Sequence, residues 1–93
     1  MSYEEKIKEL KINLPDAKAP VGNYVATKVS GKMLFVSGQI SIDESGKLIK
    51  GKVGKDLDTE AGYNAAKRCA LSIIAQVKKA CNNDLSKVKS CVK

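Results

Sequence analysis

The apolar positions of this chain follow two different periods. Near the N-terminus Tyr3, Ile7 and Leu10 recur at helical spacing, and Ser2 stands three residues ahead of Glu5, the pairing of a capping box. The pattern predicts a short helix from about Tyr3 to Lys11. Pro15 and Pro20 then break the helix and impose an extended connection. From Asn23 to Val29, and again from Met33 to Gln39, the residues are β-branched or apolar, and Gly31 in the Ser30-Gly31-Lys32 link can supply the positive φ of a tight reversal. A hairpin is expected there. A second turn at Asp43-Glu44-Ser45-Gly46 leads to a short strand over Lys47 to Lys50, and Gly51 and Gly54 punctuate the loop that follows.

The longest helical pattern starts at Thr59, read as the N-cap with Glu60 in the first turn, and carries to about Cys81. Its expected apolar face is Ala66, Ala70, Ile73, Val77 and Ala80, widened by Ala65, Cys69 and Ile74. Asn82-Asn83-Asp84 stops it. The run Lys87 to Lys93 then alternates, with Val88, Ser90 and Val92 on one side, and reads as a last strand. Strand-strand-strand-helix-strand is half of an α+β sandwich, and a chain ending inside an expected central strand leads to the expectation of a missing C-terminal part. Residues 1–93 are accordingly read as a single domain truncated at its C-terminus.

Composition narrows the chemistry. At 93 residues, 43% hydrophobic and 29% charged, the chain is one small soluble globular domain. No apolar run approaches the ~18 residues of a membrane helix, and the N-terminus lacks a signal-peptide pattern, so a cytoplasmic location is expected. The chain has no histidine. Ser-His-Asp, Cys-His and zinc-water constellations cannot be assembled from it alone, which leaves acid–base work to Asp, Glu, Lys, Tyr or Cys. Cys69, Cys81 and Cys91 form no CxxC and read as reduced structural thiols, with Cys91 tilted slightly toward reactivity by Lys89 and Lys93. The net charge of +7 rests on dispersed lysines and a single arginine, Arg68, which reads as a solvated helix-surface charge. Specific nucleic-acid readers use Arg forks and stacking aromatics, whereas this chain has one Arg, one Phe and three Tyr, though Lys47 to Lys55 is dense enough to attract phosphate.

The stretch Pro20 to Gln39, P-V-G-N-Y-V-A-T-K-V-S-G-K-M-L-F-V-S-G-Q, resembles the N-terminal signature of the YjgF/RidA family of reactive-intermediate deaminases, often labelled L-PSP endoribonuclease or translation inhibitor. Ile40, the G-K-V-G run Gly51 to Gly54, the A-A-K-R-C-A-L-S-I-I-A helix and the closing L-S-K-V-K-S-C-V-K follow in the family's order, and Leu14 to Pro20 resembles one branch of it. The resemblance implies a chorismate-mutase-like α+β sheet with helices packed on one face. It further implies a homotrimer binding a small-molecule substrate in an intersubunit cleft, and a hydrolase that converts 2-iminobutanoate- or 2-iminopropanoate-like intermediates to 2-oxo acids and ammonia. No cofactor, metal or membrane partner is implied. Tyr24 matches the family's catalytic cleft tyrosine, and Ser37 and Gly38 match its substrate-binding positions. The family's substrate-carboxylate arginine and water-positioning acid fall in the C-terminal part, so the 93 residues alone are expected to be inactive. An RNA-binding endoribonuclease or translation inhibitor, and a non-catalytic trimeric small-molecule-binding module, are the competing readings.

Overall fold

The computed structural model describes residues 2–20 and 22–93. Helix α1 spans Tyr3–Glu9, and the capping box works as its sequence implies: the Ser2 hydroxyl accepts from Glu5 N at 3.1 Å. Lys11, at φ +55, turns the chain out of the helix. An extended arm then runs through Pro15 to Pro20. Strands β1, Thr27–Ser30, and β2, Met33–Val36, pair antiparallel with Ser30 opposite Met33. Gly31 takes φ +59 at the first central position of the two-residue turn, where a side chain would be strained.

Two expected strands take other forms. The Lys47 to Lys50 segment forms only an isolated bridge, Ile42 to Leu48, clamped by Ile49 N donating to Ser41 O at 2.7 Å and the Ser41 hydroxyl donating to Ile49 O at 2.6 Å. Lys87 to Lys93 is not a strand. Leu85–Lys87 closes one turn of 3-10 helix, with Asp84 Oδ1 accepting from Ser86 N at 3.0 Å, and Val92 beyond it is 77% exposed. Alternation makes a strand only where a neighbouring edge can accept its hydrogen bonds, and among the described residues none pairs with this run.

Helix α2 spans Thr59–Ala80 and packs on the hairpin. Its N-cap is Asp58, one residue earlier than expected, with Oδ1 accepting from Ala61 N at 2.8 Å. Asn82 and Asn83 both take positive φ and end it. The buried side is Leu71, Ala75 and Gln76, whereas Ala66 and Ala70 are exposed and Ile73 is 42% exposed. At roughly 100° per residue the buried side centres about half a turn from Ala66, Ala70 and Ile73, while the other expected positions, Ala65, Cys69, Ile74, Val77 and Ala80, are half-buried. The difference comes from the N-terminal arm: Gln76 Nε2 donates to Lys18 O at 2.8 Å, fastening the arm over that side. At the other end Glu4 Oε1 accepts from Leu85 N at 2.6 Å, so α1 docks on the 3-10 turn.

Alternation along β2 separates two faces. Leu34 and Val36 are half-buried, while Met33 and Phe35 are 44% and 57% exposed. The whole chain exposes 7505 Å², against about 5200 Å² expected for a folded monomer of 10.0 kDa. Exposed apolar side chains are spread over the chain, among them Val25, Val29, Phe35, Val53, Tyr63 and Val92.

The loop before α2 is held by one glycine. Gly51 has φ +136, and a Cβ there would lie 2.7 Å from Asp56 Cβ, while Asp56 Oδ2 accepts from Lys52 N at 2.9 Å. Gly51→Ala is expected to cost about 1–3 kcal/mol, read as a fall in melting temperature of several degrees. An unchanged melt would show that the loop reorganises at no cost.

Candidate functional site

Ser37 continues β2 by one more pair. Its N–H donates to Ala26 O at 2.9 Å and its hydroxyl donates to the same carbonyl at 3.1 Å, filling both acceptor positions of that oxygen. Gln39 Nε2 donates to Ser37 O at 3.2 Å, so the residue is held from both sides. With its proton committed to Ala26, Ser37 Oγ retains lone pairs that can accept from a ligand. By strand parity Ser37 shares the outer face of Met33 and Phe35. Gly38 follows, exposed, with open space where a Cβ would stand.

Tyr24 sits in a bend three residues before β1, not at a strand start, and is 50% exposed. Its ring lies over Gly22, where a Cβ would come within 3.2 Å of Cε2. Tyr24 is two residues upstream of Ala26, which pairs with Ser37, and Gly38 follows Ser37 in the chain. None of the three lines either of two grooves formed by the described residues.

The larger groove, about 640 Å³, lies between the end of α1, the Asp43 turn and α2. Arg68 lines it. Contrary to the expectation of a solvated surface charge, Arg68 is half-buried and its Nε donates to Ile42 O at 2.7 Å. That carbonyl is 26 residues upstream, so no local spacing could have signalled the contact. A second groove, about 350 Å³, separates the Leu14 to Ala17 arm from Ala75, Lys78, Lys79 and Asn83. Among the described residues no cluster of His, Cys, Asp or Glu could hold a metal ion, and no helix is long and apolar enough to cross a membrane. Cys69, Cys81 and Cys91 are all free thiols.

Asp43 and Asp84 are held below the ordinary aspartate value of 3.8. The first cause is the same in both, a hydroxyl two residues on donating to the carboxylate: Ser45 for Asp43 and Ser86 for Asp84. Lys47 N and Ser45 N each donate a further bond to Asp43, both at 2.9 Å. Because the folded state lowers these values, their stabilisation is complete above 3.8 and is lost as pH falls from there through the lower folded values. The amide resonances of Ser45, Lys47 and Ser86 are therefore expected to hold from pH 7 to about 5 and to move only below about 4. Movement near neutrality would contradict the assignment.

The family model described as "YjgF/chorismate mutase-like, putative endoribonuclease" matches residues 4–93. The chain is 40% identical over 87 residues to Protein TCP17 of Trypanosoma cruzi, covering 94% of this chain and 54% of that protein. A crystal structure described as a putative endoribonuclease from Shewanella oneidensis superposes with a TM-score of 0.88 at 34% identity, over 97% of this chain and 59% of that one. The Agrobacterium tumefaciens protein Atu1372, of unknown function, superposes at 0.75 with 44% identity, over 91% of this chain and 50% of that one. The chain thus spans between half and three-fifths of the length of these relatives. The ordered sequence signature, the α+β architecture and a match over nearly every residue together establish that this chain belongs to the YjgF/chorismate mutase-like family.

Proposed function

We propose that the chain contributes one wall of an imine hydrolase site, built from Tyr24, Ser37 and Gly38 and closed by a neighbouring copy in a homotrimer. The observation that carries this reading is the outer hairpin face, where exposed Met33 and Phe35 stand beside the anchored Ser37. The exposed excess of roughly 2300 Å² is larger than a standard protein interface buries, about 1600 Å². A second copy laid on Met33 and Phe35 would bring its own surface against Ser37 and turn an open face into a cleft.

In such a cleft the substrate is a 2-imino acid. Water adds to the C=N carbon, the C–N bond of the resulting carbinolamine breaks, and nitrogen leaves as ammonia while the carbon becomes a 2-oxo acid. Ser37 Oγ accepts from the iminium N–H or the incoming water, Gly38 admits the substrate close to the backbone, and the Tyr24 hydroxyl relays a proton. Arg68 lies in the separate groove and takes no part. With no arginine fork beside Tyr24 and Ser37, the 93 residues alone are expected to add nothing to the solvent rate.

The test joins this chain to the part of the Shewanella relative outside the match and supplies 2-iminobutanoate generated in situ. Ammonia release well above the solvent rate supports the reading. No release from a folded chimera rejects it. The second reading, RNA binding or cleavage, is favoured by the +7 charge and the exposed lysines between Lys47 and Lys55. Diffuse lysine attraction gives binding that collapses with salt, but phosphodiester cleavage would fall to Lys and Tyr alone. A trimeric module that binds a small molecule without turnover is the outcome in which the chimera binds but releases no ammonia.

A further inference from the structure

The larger groove carries opposite charges that do not satisfy one another. Arg68 and Lys67 line it from α2, and Lys11 from the end of α1, while Asp43 and Glu44 line it from the turn. Among the described residues the only ion pair within 4.0 Å is Lys6–Glu9, so none of these cations touches either carboxylate. Both walls are nevertheless set in place. The bond from Arg68 Nε to Ile42 O fixes one edge of the guanidinium and leaves its Nη groups for a ligand, and it fastens α2 to the residue preceding Asp43. Asp43 is held by Ser45 and Lys47 through one oxygen, Oδ1, which leaves Oδ2 uncommitted. The groove also has an apolar floor, half-buried Ile49 and buried Leu71.

From this arrangement we infer that the groove is a binding site for a free α-amino acid with an aliphatic side chain. Its carboxylate pairs with Arg68 and Lys67, its ammonium with Asp43 and Glu44, and its side chain rests on Ile49 and Leu71. Both signs of charge line the one groove, which suits a zwitterion. A simple anion would meet the two carboxylates unpaired, and a simple cation the three basic groups. At about 640 Å³ the groove falls within the 300–1000 Å³ range usual for small-molecule sites and accommodates an amino acid with room for water. The inference stands apart from the imine hydrolase reading, since it shares no residue with Tyr24, Ser37 or Gly38.

The experiment titrates the 93-residue chain with L-leucine, N-acetyl-L-leucine and L-leucinamide while following backbone amide resonances. Saturable shifts confined to Asp43–Ser45 and Asn64–Leu71 are expected for L-leucine, with binding at least tenfold weaker for the two derivatives, each of which lacks one charge. Lys67→Gln and Glu44→Gln, both at exposed positions, are each expected to weaken L-leucine binding severalfold without altering the rest of the spectrum. Arg68→Gln removes a structural bond as well, so the two exposed variants carry the decision. Non-saturating shifts, equal binding of all three compounds, or shifts centred on Ser37 would overturn the inference.

Discussion

Replacing Leu85 by Ala is expected to melt the domain at a markedly lower temperature, with a loss of about 2–3 kcal/mol. Few residues are buried here: Leu71, Ala75 and Leu85 are the apolar ones among those described, and Leu85 is 5% exposed. A leucine truncated in a core this small leaves a gap that little neighbouring mass can fill. Leu85 also anchors the 3-10 turn against α1, where its N–H donates to the Glu4 carboxylate. At several degrees per kcal/mol for a domain of this size, the loss is a fall in melting temperature of roughly 10 °C or more. Glu4→Gln, which keeps an acceptor but removes its charge, is expected to cost less. Equal melts for Leu85→Ala and the unaltered chain would show that α1 and the turn are not part of the cooperative unit.

Tyr24→Phe in the chimera is expected to lower the kcat for 2-iminobutanoate hydrolysis about a hundredfold while leaving the melt unchanged. The hydroxyl is the only group removed, and the ring, half exposed over Gly22, keeps its packing. Ser37→Ala is expected to act differently. It deletes the hydroxyl that bonds Ala26 O but keeps the backbone bond to that oxygen, so the hairpin survives while the acceptor offered to substrate is lost. A Tyr24→Phe rate equal to the unaltered rate would return Tyr24 to the role of a surface residue.

Local signals were legible where their physics is local. Ser2 and Glu5 announce α1, Gly31 announces the hairpin turn, and Asn82 and Asn83 announce the end of α2, since each acts within a few residues of itself. What failed depends on neighbours distant in the chain. The alternation from Lys87 to Lys93 reads as a strand, but alternation says only which sides would differ and not whether an edge is there to pair with. The covered side of α2 could not be read because the helix is apolar over much of its circumference near Ala70 to Ala75. Its orientation is set by Gln76 reaching the Lys18 carbonyl, 58 residues away in sequence. Arg68 escaped for the same reason, and so did the groove it lines. The family is visible from Pro20 to Gln39, whereas no local pattern fixes what surrounds Tyr24, Ser37 and Gly38.

On the proposed reading, further copies of the same chain cover the outer face of the hairpin. Sedimentation equilibrium tests it directly, on the chain and on Phe35→Glu, which places a charge at the centre of the exposed face. The expected result is a species of three times the 10.0 kDa chain mass, reduced to a single chain by the substitution. A folded wild-type chain that sediments as a monomer, or a Phe35→Glu chain that assembles as well as the wild type, would contradict it.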